Sequence, residues 1–471
     1  MTTTKQNQDF TRGSIWRRMI LFVLPLMATG LLQVIYNAAD RLIVGRFSGD
    51  SLALAAIGAS GTINAIIVNL LIGLSGGVGI AVAQYIGAKN YDSVKRTVRT
   101  SLVVAAVGGV AFMAIGLFIS EPLVTAIVSK PELIPKSLLY VRLTTLGIPA
   151  LAMYNFGSAI LRANGDSKTP LLIGTVSGIL NVLLNLVFVC LFGMSVDGVA
   201  LATIISQYVS AIWVMLLFGN AANEAFRVTI WDIRPEAKFF FRIMKLGLPQ
   251  GVHSFAICFV NMIYTANMNS TFPTEVISAS SVAGTIDIFA FTALGCFAQA
   301  VTVFVAQNYG RGNLDRIKRS SLAALVEALV VVVLTSLVLR LAGPSLASLF
   351  INPADPMADE ILAIATDAWF NYLVLFYPIH GVLSVFIGVA RGVGYTTSTS
   401  IIALICEGGV KLGWVLLIAP IYRESVRWFM TGHVAGWTLN LIIVIPLVFI
   451  AFHRIKKELA HKPTEAELAD D

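Results

Sequence analysis

The chain of 471 residues is 57% hydrophobic and only 13% charged, with a formal net charge of +7. An average soluble domain is nearer ~25% charged, so these totals exclude a soluble globular protein and leave an integral membrane protein. The basic residues lie in short loops between apolar segments, which fits orientation by the positive-inside rule and not a nucleic-acid-binding face.

Windows of roughly 20 apolar residues, enough to cross a bilayer, recur along the chain. They predict an all-α protein with twelve transmembrane helices near 17–44, 52–84, 98–120, 136–161, 170–193, 197–219, 240–268, 277–307, 320–341, 361–389, 399–419 and 428–452. Positive charge clusters before the first span (Lys5, Arg12, Arg17, Arg18), after the second (Lys89, Lys95, Arg96, Arg99), after the eighth (Arg311, Arg316, Lys318, Arg319) and after the last (Arg454, Lys456, Lys457). With an even number of spans, this places both termini on the cytoplasmic side of the cell membrane.

The first span carries Pro25 and a polar stripe, Gln33, Tyr36, Asn37 and Asp40, spaced i, i+3, i+4, i+7 on one helical face. A carboxylate in hydrocarbon costs at least ~2.5–3.5 kcal/mol on insertion scales. The stripe therefore faces a wet cavity or polar partners.

A charged connection, 220–238, divides the chain into two six-helix lobes, 1–219 and 239–471. The lobes are a repeat. At an offset of 223, Gly61-Thr62-Ile63 meets Gly284-Thr285-Ile286, and the run from Ala83 to Arg96 meets that from Ala306 to Arg319 with seven of fourteen positions identical. At 224, Leu24-Pro25 meets Leu248-Pro249 and Asn37 meets Asn261; at 229, Arg162 and Gly165 meet Arg391 and Gly394. Two halves that both begin on the same side imply a pseudo-twofold axis along the membrane normal, with a central cavity between the lobes. In the duplicated elbow between the second and third spans of each half, Gly87 and Gly310 suit a helix C′ position needing positive φ. Asp92 and Asp315 suit the first turn of the helix that follows.

The halves differ where chemistry could sit. Asp40 falls on Tyr264, Asn181 and Asn185 on Val410 and Trp414, and Thr203 on Gly432. The first half thus holds a carboxylate, two amides and a hydroxyl that its copy lacks, a donor set for a small hard cation, Na⁺, or for a proton. Isolated amides in spans also serve as helix-helix glue. In the second half, Glu407 and Lys411 are spaced i, i+4 as a self-neutralising pair, Asp287 replaces Asn64, and His380 can titrate near neutral pH. Gln33, Tyr36, Asn37, Asn64, Tyr264, Asp287 and His380 are the candidates for lining the substrate cavity. Pro25, Gly87, Gly310, Glu407 and Lys411 are candidates for structure or gating. Cys190, Cys258, Cys296 and Cys406 stand singly, without metal-ligand or disulfide spacing. No phosphate loop, His-Glu-x-x-His or Gly-x-Ser-x-Gly motif is present, so neither direct ATP use nor enzymatic hydrolysis has local support.

The motifs together resemble the MATE (multidrug and toxic compound extrusion) transporters over essentially residues 15–450, and the DinF-type branch in particular. The resemblance rests on the Leu-Pro start of the first span, Tyr36-Asn37-Ala-Ala-Asp40, Val44-Gly45-Arg46, Ala55-Ala56-Ile57-Gly58, the Gln84-x-x-Gly87 elbow, Leu161-Arg162-Ala-Asn-Gly165-Asp166, and Ala202-Thr203 with Ser206-Gln207. It implies an N-lobe cation site at Asp40, Asn181, Asn185 and Thr203, with Asn185 standing where an Asp is common. The NorM-type branch places acidic ligands at positions that here are near Ile257 and His380, so that second site is not expected. The implied function is a secondary antiporter, not an enzyme and without a cofactor. It would export amphipathic, often cationic, compounds in exchange for H⁺ or Na⁺, as a monomer in the bilayer with no nucleic-acid partner. The alternatives are a lipid-linked precursor flippase of the same superfamily and a non-transporting membrane scaffold.

Overall fold

A chain crossing hydrocarbon must satisfy its own backbone hydrogen bonds, and a helix does so within one segment. Every regular element among the described residues is helical. The structure is a computed structural model describing residues 9–460, apart from 49, 51, 129, 229–233, 353–354 and 423–424. Lys5 and part of the 220–238 connection lie outside the described residues.

In chain order the elements are α1 (Ile15–Phe47), α2 (Ala53–Gly87), α3 (Tyr91–Ile127), α4 (Ile134–Leu146), α5 (Ile148–Ala163), α6 (Lys168–Leu186, extended by a π turn Val187–Leu191) and α7 (Val196–Gly219). Then come α8 (Ala237–Thr271), α9 (Thr274–Arg311), α10 (Leu314–Ser348), α11 (Ala358–Ala365), a π and 3-10 stretch to Phe376, and α12 (Tyr377–Gly392). The last span pair is α13 (Thr396–Ala403), a π turn Leu404–Val410, the short α14 (Lys411–Gly413), a further π turn Trp414–Ile418, and α15 (Val426–Ala460). Among the described residues eleven helical segments are long and apolar enough to cross a membrane, and a bent pair makes up to twelve. The bent pair is the expected fourth span. It breaks by 47° between Leu146 and Ile148, where Gly147 caps one piece and Pro149 opens the next.

The chain forms two compact units, and their boundaries fall within helices, not at the 220–238 connection. Leu24–Cys258 belongs to the first unit; Phe10–Val23 and the chain from Phe259 belong to the second. Local packing explains both offsets. In the first unit, a methyl group on Gly73 or Gly77 of α2 would overlap the backbone of Gly251 or Gly247, so α8 begins in backbone contact with α2. In the second unit, the fully buried Phe10 ring stacks on Phe304 of α9 with centroids 3.9 Å apart. Its backbone N–H donates to Gln307 Oε1 at 2.9 Å, and its carbonyl accepts from Arg316 Nε at 2.8 Å.

The elbows correct one expectation. Gly87 and Gly310 are still helical, and the left-handed residues come two positions later, at Lys89 (φ 57°) and Gly312 (φ 74°). The backbone N–H groups of Asn90 and Asn313 then return to Tyr85 O and Asn308 O, both at 3.0 Å. Asn90 and Asn313 cap α3 and α10 by accepting from Ser93 N at 3.0 Å and Arg316 N at 2.9 Å, with Asp92 and Asp315 in the first turns as expected.

Candidate functional site

The first unit brings the predicted cation residues together. Asp40 comes from α1, Asn181 and Asn185 from successive turns of α6, and Thr203 from α7. Asn185 Nδ2 donates to Asp40 Oδ1 at 2.5 Å and lies 3.4 Å from Asn181 Oδ1. Asn181 Nδ2 donates to Thr203 Oγ1 at 3.4 Å, while the Thr203 hydroxyl donates to Val199 O at 2.9 Å. Asn181 and Asn185 are buried, and Asn185 Oδ1 has no hydrogen-bond partner. Such an orphaned buried acceptor is destabilising unless something meets it. Arg41 is exposed and reaches towards Gly61 of α2.

Asp40, Asn181 and Thr203 open onto a cavity of about 170 Å³ within the same unit, lined also by Gln33, Tyr36 and Asn37 among others. Since roughly 10–15 Å³ of such space holds one water, the cavity has room for a cation with its hydration waters and more. Tyr36 lies with its ring against Gly178, where any Cβ would overlap it, and its hydroxyl donates to Thr175 O at 3.3 Å. The far wall includes Tyr154, Ser177, Ser206, Gln207 and Ser210, with Ser210 Oγ donating to Ser177 Oγ at 2.6 Å. The chain's pattern singled out only Ser206 and Gln207 of that wall; i, i+4 serines on apolar spans carry no stronger signal. Carboxylate, amide and hydroxyl oxygens are the ligands of hard cations. Among the described residues no three His, Cys, Asp or Glu converge as a softer-metal site would need.

The other cavity candidates lie elsewhere. Asn64 accepts from Thr144 Oγ1 of α4 at 3.1 Å and does not line this cavity. Tyr264, Asp287 and His380 belong to the aromatic interior of the second unit. There the His380 ring packs 5.1 Å from both Phe291 and Trp437, and Asp287 is buried beside Tyr377. Glu327 of α10 in the same unit, which carries no motif, is also buried, with neither carboxylate oxygen hydrogen-bonded. Its one sequence signal is a lone carboxylate in an apolar window.

Glu407 and Lys411 are not the expected ion pair. Glu407 Oε1 accepts from Asn440 Nδ2 at 2.6 Å, whereas Lys411 Nζ donates to Asn261 Oδ1 at 2.8 Å and lies 4.2 Å from the Tyr264 ring centroid. A π turn, Leu404–Val410, runs through this stretch. It inserts one residue into the repeat. The left-handed Gly165 and Gly394 keep the offset of 229 before the turn. From Glu407 onward the contacts match at 230: Ser177 with Ser210 corresponds to Glu407 with Asn440, and Tyr36 on Gly178 to Val260 beside Gly408. The counterparts of Asn181, Asn185 and Thr203 are therefore Lys411, Val415 and His433, in place of Val410, Trp414 and Gly432.

The family model described as MatE matches residues 25–187 and again 249–412, the second match opening at Pro249, the repeat partner of Pro25. The chain is 27% identical over 397 residues to the probable multidrug resistance protein YpnP of Bacillus subtilis, covering 84% of this chain and 87% of that one. It is 22% identical to the multidrug export protein MepA of Staphylococcus saprophyticus, covering 91% of each. A crystal structure of MATE in complex with MaL6 superposes with a TM-score of 0.89 at 22% identity, over 96% of this chain and 100% of the other.

Proposed function

Because this chain belongs to the MatE family of multidrug efflux transporters, we propose that it is a secondary antiporter exchanging H⁺ or Na⁺ at Asp40 for amphipathic, often cationic, compounds leaving the cytoplasm. The observation that carries this reading is the convergence of Asp40, Asn181, Asn185 and Thr203 beside a cavity in the first unit. The arrangement has its carboxylate on the first span, as in the DinF-type branch. All four groups come from one chain, so a monomer suffices.

The cation neutralises Asp40 and satisfies the orphaned Asn185 oxygen. Discharging the carboxylate removes the reason for α1 to stay against α6 and α7. Pro25 gives α1 a place to bend: it lacks the N–H that would hold the preceding turn, and Thr29 Oγ1 donates to its carbonyl at 2.8 Å. Pro25 also adjoins Leu24, where the helix passes from one compact unit into the other. Ion and drug need no mutual contact. Coupling requires only that each prefer a different conformation. Charge in the flanking loops supports cytoplasmic termini and export outward.

The test is drug efflux from proteoliposomes under separately imposed Na⁺ and pH gradients. One of the two gradients drives transport by the unaltered protein, and Asp40→Asn abolishes that dependence. Gradient-driven transport that survives Asp40→Asn overturns the reading.

A further inference from the structure

The corrected repeat register gives the second unit a charge-reversed version of the first unit's site. Asn37 and Asp40 of α1 correspond to Asn261 and Tyr264 of α8, and Asn181 and Thr203 correspond to Lys411 and His433. Lys411 Nζ touches both α8 counterparts at once: it donates to Asn261 Oδ1 at 2.8 Å and faces the Tyr264 ring at 4.2 Å. The His433 ring packs 4.6 Å from that of Tyr264. The ammonium thus sits against the positions that, in the first unit, face the cavity beside the carboxylate.

A buried ammonium is unfavourable in an apolar span unless its charge is met. Lys411 is only 6% exposed, and three features meet it: an amide oxygen, the negative face of an aromatic ring, and the nearby carboxylate of Glu407, itself held by Asn440. Arg391 adds a second positive neighbour to Glu407. The set is what a monovalent cation would need, and the chain supplies that cation on its own side chain. Being covalently tethered, it cannot be released to either side of the membrane.

We propose that Lys411 is a built-in cation that occupies the second unit's copy of the site, so that the chain exchanges cations at its first unit alone. The last clause rests on the reading of Asp40 given above. A lysine present only to neutralise Glu407 would, when truncated, leave a carboxylate that takes up a proton and binds neither Na⁺ nor Rb⁺. A tethered cation would leave a vacancy lined by Asn261 Oδ1 and the Tyr264 face, within the field of the Glu407 carboxylate.

The experiment counts ²²Na⁺ and ⁸⁶Rb⁺ bound per full-length chain in lipid nanodiscs. In an Asp40→Asn background, adding Lys411→Ala is expected to create one cation site where Asp40→Asn alone has none, and further adding Glu407→Gln to remove it. No gain on Lys411→Ala overturns the proposal. A gain in that background, with no Asp40-dependent binding or coupling in the parent protein, overturns the Asp40 reading and leaves the tethered cation standing. If Lys411→Ala does not accumulate, millimolar ethylammonium during expression and purification is expected to restore it and to raise its unfolding temperature, without effect on Asp40→Asn. Absence of that rescue also overturns the proposal.

Discussion

Asn185, with no solvent exposure, donates its amide to Asp40 Oδ1 across 2.5 Å. Asn185 Oδ1, which has no hydrogen-bond partner, is the oxygen a cation would meet, so Asn185→Ala should weaken Na⁺ binding about tenfold, roughly 1.4 kcal/mol. Asn185→Asp should act in the opposite sense for sodium, because two carboxylates on one cation attract it more strongly than one. The check is the Na⁺ concentration giving half-maximal efflux, which should fall several-fold in Asn185→Asp and rise in Asn185→Ala. The reverse order would contradict the assignment of the site.

Tyr36 and Gly178 make a close packing contact that shapes the same cavity. Gly178→Ala puts a methyl into the Tyr36 ring, and overpacking of this kind costs about 1–3 kcal/mol. A lower unfolding temperature and reduced transport are expected. Gly58→Ala makes the control: a methyl there meets nothing within 4 Å and should leave both unchanged.

The two elbows offer a paired experiment. Lys89 holds φ 57° with a side chain, whereas its counterpart Gly312 holds φ 74° without one. A left-handed conformation costs a non-glycine residue roughly 1–2 kcal/mol, partly offset by glycine's greater freedom in the unfolded chain. Lys89→Gly should therefore raise the unfolding temperature slightly, and Gly312→Ala should lower it. Equal and negligible shifts would show that the elbows do not limit stability.

Outside the spans, Asp50 accepts from Lys136 Nζ, from Ser195 Oγ at 2.8 Å and from Leu52 N at 3.1 Å. The hydrogen bonds from Lys136 and Ser195 hold its carboxyl below the usual range. A depressed folded value contributes stability that is present above the unfolded carboxyl value, about 3.9, and is lost as pH falls through the folded one. Thermal unfolding of the parent and Asp50→Asn should differ by a constant amount down to about pH 5 and converge at lower pH. A gap that widens on acidification would contradict this.

Much of this protein is written locally in its chain. Spans follow from apolar runs set against bilayer thickness, the six-plus-six repeat from recurring motifs, and the candidate cation residues from polar groups that lipid would not accept singly. Each is a property of a few consecutive turns. The tertiary structure decided what depends on distant partners. One extra residue in the π turn at Leu404–Val410 moved the counterpart of Asn181 from Val410 to Lys411, and Glu407 pairs with Asn440. Stacking of Phe10 on Phe304 and the backbone contact of Gly77 with Gly247 placed the unit boundaries inside α1 and α8. Helix register and helix partnership are set by packing between segments far apart in the chain, so no stretch read alone could contain them.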